Sequence, residues 1–179
     1  TIRQAARVHF PQLLAAFREK AIQEGRFLEQ AVDYQDIDTL LKQYDRVVFC
    51  EGYRAVDNPF FPTLPWQLAK GEALHIRFHD ERANQITDML KKTSLIAPLG
   101  NGLFWAGGSY QWHFPDLEPS AGERAYILQR LGEMLGASFD IVGHIAGVRP
   151  SVKDRRPFLG ESTVRANVFI FNGLGTKGA

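Results

Sequence analysis

The stretch EGYRAVDNPFFPTLPW, residues 51 to 66, sets three prolines among aromatic side chains. Each proline fixes its own φ, lacks a backbone N–H and biases the preceding residue away from the helical region, so neither a helix nor a central strand can run through it. The segment therefore reads as a crossing between two structural units. It suggests three parts: residues 1–58, then 59–146, then a returning segment, 147–179.

The patterning differs on either side of that crossing. Before it, Leu13, Leu14, Phe17, Ala21 and Ile22 recur at helical spacing between Pro11 and Gly25, which predicts a helix over Phe10 to Glu24. FLEQAVDYQDI and YDRVVFC read as strands, the second a continuous apolar run expected to be buried on both faces, as in a parallel sheet. After it, EALHIRF, TSLIAPLG and GLFWAGGSYQWHF read as strands of an antiparallel layer, the last two separated by the turn signal Gly100-Asn101-Gly102. SAGERAYILQRLGEML carries Ser120 and Glu123 at capping-box spacing ahead of Leu128, Leu131 and Leu135, the mark of a capped amphipathic helix. FDIVGHIAGV and NVFIF return to strand. The fold class is α+β: a mainly antiparallel sheet flanked by helices, with partial α/β pieces at both ends of the chain.

Composition narrows the function. The 179 residues carry 21 Lys and Arg against 20 Asp and Glu, a balance without the electrostatic footprint expected of a nucleic-acid or anionic-membrane binder. No apolar run approaches the roughly 18 residues of a membrane span, and TIRQAARVHF lacks the form of a signal peptide. The single Cys50, in VVFC, cannot form an internal disulfide and is expected to pack as a small buried hydrophobe, which fits a reducing cytoplasm.

Individual motifs say little by themselves. Gly173, Gly175 and Gly178 form a literal G-x-G-x-x-G after a strand, but a dinucleotide fingerprint also needs a following helix and an acidic residue about 20 positions on. His75 and His79 could share a metal on a helix. EALHIRF alternates as a strand, however, and at about 3.3 Å per residue the two side chains stand too far apart for one zinc ion; no metal site is expected. No G-x-S-x-G elbow or nucleophilic cysteine context occurs, and no catalytic acid–base pair is identified. Trp105, Tyr110 and Trp112 lie beside two glycines; alternation aims Tyr110 and Trp112 to one face, either as core or as a pocket wall. GVRPSVKDRRPFLGE places Arg149 in a Gly-x-Arg-Pro turn, where it either pairs with Asp154 or Glu161 or binds a ligand.

Taken in order, VHFPQLLAAFREKAIQEG, YDRVVFCEGYRA, LPWQLAKGEALHIRF and AGVRPSVKDRRPFLGE followed by NVFIFNGLGTKG resemble the flavin-dependent amino acid and amine oxidoreductases, the family of D-amino acid oxidase, glycine oxidase and sarcosine oxidase. The resemblance implies FAD as cofactor of the full-length parent. Gly52, Gly173, Gly175, Thr176, Lys177 and Gly178 would then be flavin contacts. It implies that Arg149 pairs with the carboxylate of a small amino acid or amine substrate, with Trp105, Tyr110 and Trp112 roofing the pocket. The family's amino-terminal G-x-G-x-x-G is not found in these residues, so this chain alone is expected to hold FAD weakly or not at all and to be inactive. The alternative is a non-catalytic α+β module that binds a small molecule or a protein. The sequence does not indicate an oligomeric state.

Overall fold

The computed structural model describes residues 8–177, the side chain of Lys177 excepted. Helix α1 (Phe10–Gln23) begins where the spacing places it: His9 Nδ1 accepts a hydrogen bond from the Gln12 N–H at 3.2 Å, Pro11 sits in the first turn, and Gly25 follows the end with φ +65°. Its apolar stripe is not covered. Only Ala21 is buried, while Leu14 and Phe17 are 61% and 67% exposed. A contiguous apolar surface of this kind promotes association. Leu14→Glu combined with Phe17→Glu is expected to reduce self-association and apolar-dye binding while changing stability by no more than about 0.5 kcal/mol. Unchanged sedimentation and dye fluorescence would refute this.

FLEQAVDYQDI is not a strand. Residues 26–33 have no regular structure, and a short 3-10 turn at Tyr34–Asp36 runs into helix α2 (Ile37–Leu40). The cause is local: Asp33 Oδ1 accepts from the Gln35 N–H, and the Asp33 N–H donates to Asp36 Oδ2, a reciprocal cap that outweighs the apolar alternation. Strand β1 (Val47–Phe49) is parallel to the last strand, as expected, but only one face is covered. Phe49 is buried, Val48 is 53% exposed and Cys50 is exposed, so neither the two-sided burial nor the buried cysteine holds. The apolar cluster of Ile37, Phe49, Phe61, Val168 and Ile170 lies under one face of a sheet in which β1 is an edge.

Beyond the proline segment the chain builds β2 (Ala69–Phe78), α3 (Glu81–Asn84), β3 (Leu90–Lys91), β4 (Leu95–Gly100), β5 (Leu103–Gly107), α4 (Ala121–Gly132) and β6 (Phe139–Arg149). The strands form an antiparallel sheet in the order β3-β4-β5-β2-β6. Alternation along β2 sends Leu74, Ile76 and Phe78 to one face, where they pack with Ile127 and Leu131 of α4. Ser120 caps that helix, its Oγ accepting from the Glu123 N–H. Gly100, Asn101 and Gly102 all take positive φ in the β4/β5 turn.

GLFWAGGSYQWHF is a strand only as far as Gly107. Ser109 then holds the chain to β2: its N–H donates to the Glu72 carbonyl and its Oγ accepts from the Glu72 N–H, both at 3.0 Å. Gln111 then makes an isolated bridge to Lys70.

The chain returns through β7 (Phe158–Glu161) and β8 (Val168–Asn172), giving a three-stranded sheet in the order β1-β8-β7. The two stretches that link the sheets run side by side. The Gln67 N–H donates to the Ser151 carbonyl at 2.9 Å, and the Lys153 N–H donates to the Pro65 carbonyl at 3.2 Å. The proline segment thus ends paired with the residues that follow Gly-x-Arg-Pro, a motif whose Gly147 to Arg149 are the end of strand β6 and not the turn expected. Among the described residues no helix is long and apolar enough to cross a membrane.

Candidate functional site

Two hollows open where the paired crossovers meet the sheets. The larger, about 700 Å³, is lined by Gln67 and Ser151 from the crossovers, Tyr110 and Trp112 from the segment after β5, and Gly175 and Thr176 from the loop after β8. The smaller, about 310 Å³, lies on the face of the large sheet turned away from α4 and is bounded by Gly71, Ala73, Trp105, Ile145, Gly147 and Arg149.

Arg149 lines the smaller hollow and touches Tyr110 of the larger. It stands opposite Ala69 at the end of β6, and its side chain reaches back over Gly71. Its Cζ lies 5.2 Å from the centroid of the Tyr110 ring, within cation–π range. Tyr110 meets Trp112 edge to face at 4.7 Å. Arg149 is half-buried, and its Nη1 is buried without a hydrogen-bond partner. It pairs with neither of the two acids the sequence offered. Asp154 accepts from the Arg156 N–H, and Glu161 accepts from the Asn167 N–H. A buried guanidinium N–H with no acceptor costs free energy unless something else supplies one.

The loop after β8 folds down onto the same crossover. Gly173 and Gly175 have φ of +75° and +54°, which side-chain-bearing residues rarely adopt. A Cβ on Gly173 would also fall 2.9 Å from Val152 Cγ1. Thr176 is exposed at the rim, and Lys177 closes a short 3-10 turn at Gly175–Lys177. Gly178 lies outside the described residues. Gly52, with φ +63°, lies outside the lining of both hollows but is tied to this loop: Asn172 Nδ2 donates to its carbonyl at 2.9 Å, and Asn172 Oδ1 accepts from the Gly173 N–H. Next to Gly52, Glu51 accepts from Tyr34 Oη and Asn58 Nδ2. Burial, then the bond to Glu51, push the Tyr34 phenol up to about 12, so it remains a neutral donor.

Behind the smaller hollow is a charged pair that the sequence reading missed. Lys70 and Glu72, each 1% exposed, flank Gly71 and point to the α4 side of β2. Lys70 Nζ lies 3.2 Å from Glu72 Oε1 and donates to the Glu118 carbonyl. Glu72 accepts from the Ser120 N–H at 2.8 Å and from Ser120 Oγ at 3.1 Å. His144 Nε2 approaches Glu72 Oε2 to 2.9 Å but is out of line for a hydrogen bond. Burial pushes the Glu72 carboxyl up; the bonds from Ser120 and Lys70 outweigh it and leave the group below its ordinary value. A signal was present: Lys70 and Glu72 share the face of β2 that carries Leu74 and Ile76, and two charges on a core face must be partnered.

The FAD dependent oxidoreductase family model matches residues 1–179. The chain belongs to that family. Members use FAD. Solved structures of the same fold include glycine oxidase from Geobacillus kaustophilus (TM-score 0.61, 23% identity, covering 75% of this chain and 37% of that one). Others are iminodiacetate oxidase from Chelativorans sp. BNC1 (TM-score 0.59, 20% identity, 75% and 38%) and L-proline dehydrogenase from P. horikoshii (TM-score 0.59, 15% identity, 74% and 38%). This FAD-dependent oxidoreductase chain thus spans less than two fifths of those neighbours' length.

Proposed function

We propose that the chain is the substrate-binding portion of an FAD-dependent oxidoreductase that oxidises an amino acid or related amine. One observation carries this reading: a half-buried guanidinium with an unpartnered buried N–H, placed between a glycine-walled hollow and an apolar cleft. A planar guanidinium suits bidentate pairing with a carboxylate, and a carboxylate would supply the missing acceptor.

The residues around the larger hollow fit a flavin. At about 700 Å³ it falls within the size range of cofactor sites. The left-handed glycines let main chain come close to a ring system, and Lys153 and Arg155 add positive charge at the wall. Gly173, Gly175 and Thr176 would hold the ring from the loop side, with Lys177 and Gly178 following; Gly52 would act through Asn172. FAD, when bound, would supply the acceptor for a hydride from the amine-bearing carbon of the substrate. Arg149 orients the substrate by its carboxylate, Tyr110 and Trp112 exclude water, and Trp105 lines the space for the remainder of the molecule. Glu72, the acidic residue at the smaller hollow, turns its carboxylate to the opposite face of the sheet. Among the described residues no carboxylate faces either hollow.

Anaerobic mixing of the FAD-loaded full-length protein with a panel of α-amino acids and N-substituted glycines tests the reading. Bleaching of the oxidised flavin is expected with at least one of them. Bleaching only by amines lacking a carboxylate would remove the role given to Arg149. For the 179-residue chain alone we expect weak, substoichiometric FAD, because pyrophosphate and ribose contacts from a strand, glycine turn and helix supply much of the affinity in such folds. A purified chain that is yellow and fully loaded would contradict that expectation.

A further inference from the structure

We infer that Gly71 and Tyr110 are positioning residues that hold the Arg149 guanidinium as a preformed carboxylate receptor, and that Gly71 acts through the space it leaves. The inference rests on the reading of Arg149 given above. A Cβ built on Gly71 would collide with Nη1 and fall 2.5 Å from Nη2 and 2.7 Å from Cζ, so the guanidinium occupies the place where any other side chain would begin. Gly71 does not have a positive φ, and its backbone would accept alanine without strain. What alanine removes is the seat of the arginine.

Tyr110 provides the second wall. It is brought to Arg149 by its neighbours: the Lys70 N–H donates to the Gln111 carbonyl at 2.9 Å, and the Gln111 N–H donates back to the Lys70 carbonyl at 2.8 Å. Ser109 binds both backbone groups of Glu72. Residues 109–111 are therefore clamped to residues 70–72 on one edge of β2. On the other edge Lys70, Gly71 and Glu72 are registered against Val148, Gly147 and Ala146. Seat and ring are fixed to the same three residues, and the chain's departure from β5 at Gly107 is what delivers the ring there. A guanidinium held in this way loses little further freedom on meeting an anion, which is how preorganisation raises affinity.

The test uses the 179-residue chain, propionate as a simple monocarboxylate probe, and the Arg149 side-chain Nε–Hε resonance followed by NMR. The native resonance is expected to be ring-shifted and to move on titration. Gly71→Ala should weaken propionate binding by about tenfold or more, and Tyr110→Leu by roughly three- to tenfold, with the ring shift lost in Tyr110→Leu and restored in Tyr110→Phe. In an Arg149→Ala background, with residual binding followed on the propionate methyl signal instead, Gly71→Ala and Tyr110→Leu should no longer alter binding, since a residue acting through another has no effect once that partner is removed. The inference is overturned if Tyr110→Leu leaves the resonance in place, or if Gly71→Ala weakens propionate equally with and without Arg149. A ring-shifted resonance in a chain that binds no propionate would support the seating and sink the substrate reading instead.

Discussion

Glu72→Ala is expected to destabilise the fold by about 3–5 kcal/mol, the cost of breaking a buried ion pair from one side. The substitution strands Lys70, which among the described residues keeps the Glu118 carbonyl and a longer approach to the exposed Asp116 at 3.6 Å. It also strips the Ser120 N–H of its acceptor at the start of α4. For a domain of this length the fall in Tm should be on the order of 10 °C. Glu72→Gln, which can still accept from Ser120, should lose distinctly less. Thermal unfolding followed by circular dichroism decides the matter, and a Glu72→Ala Tm within about 2 °C of native would rule out a structural role for the pair.

The same carboxylate sets part of the acid limit of the fold. Its native pKa is held below the ordinary value of 4.5. Its contribution is therefore fully present above that value and is lost as pH falls from there through the lowered native pKa. The difference in stability between native chain and Glu72→Gln should accordingly be constant near neutrality and shrink under acid. A difference that instead grew as pH fell towards 4.5 and levelled off below it would mean that burial, not hydrogen bonding, dominates at Glu72.

The sequence made regular elements legible wherever local chemistry and tertiary packing agree. Ser120 and Glu123 cap a helix whose apolar side meets β2, and Gly100-Asn101-Gly102 turns between two strands that pair with each other. It misled where a local cap or a distant partner decides. Asp33 and Asp36 turn the end of FLEQAVDYQDI into a 3-10 turn by hydrogen bonds that alternation does not register, and the residues before Tyr34 stay irregular. Val48 and Cys50 are exposed because β1 is an edge strand covered on one face, which an apolar run of VVFC cannot reveal. For the candidate site, Arg149, Tyr110, Trp105 and the terminal glycines could be named one by one, but their division between two hollows could not. That division depends on Ser109 holding the chain against β2 beyond the end of β5, a contact across 37 residues. Gly71 went unnoticed for a related reason: its importance lies in what Arg149 does with the space above it.

Arg149→Leu is expected to separate binding from stability. If Arg149 pinned its turn, its loss would weaken the fold. No acid pairs with its guanidinium among the described residues, however, and Nη1 is buried without an acceptor. Leucine keeps apolar bulk over Gly71 and removes an unsatisfied charge, a replacement that is often neutral or stabilising. Thermal stability should therefore hold or rise. The carboxylate, by contrast, loses its charge partner in a partly dry site, at a cost of about 2–5 kcal/mol. In the full-length FAD-loaded protein this corresponds to a rise in KM of roughly one and a half to three and a half orders of magnitude for a carboxylate substrate. An amine that lacks a carboxylate should be affected far less, because it never used the guanidinium. A lowered Tm with unchanged KM would return Arg149 to a structural role. Unchanged KM at native Tm would remove the carboxylate role of Arg149 and leave its buried Nη1 without an assigned acceptor.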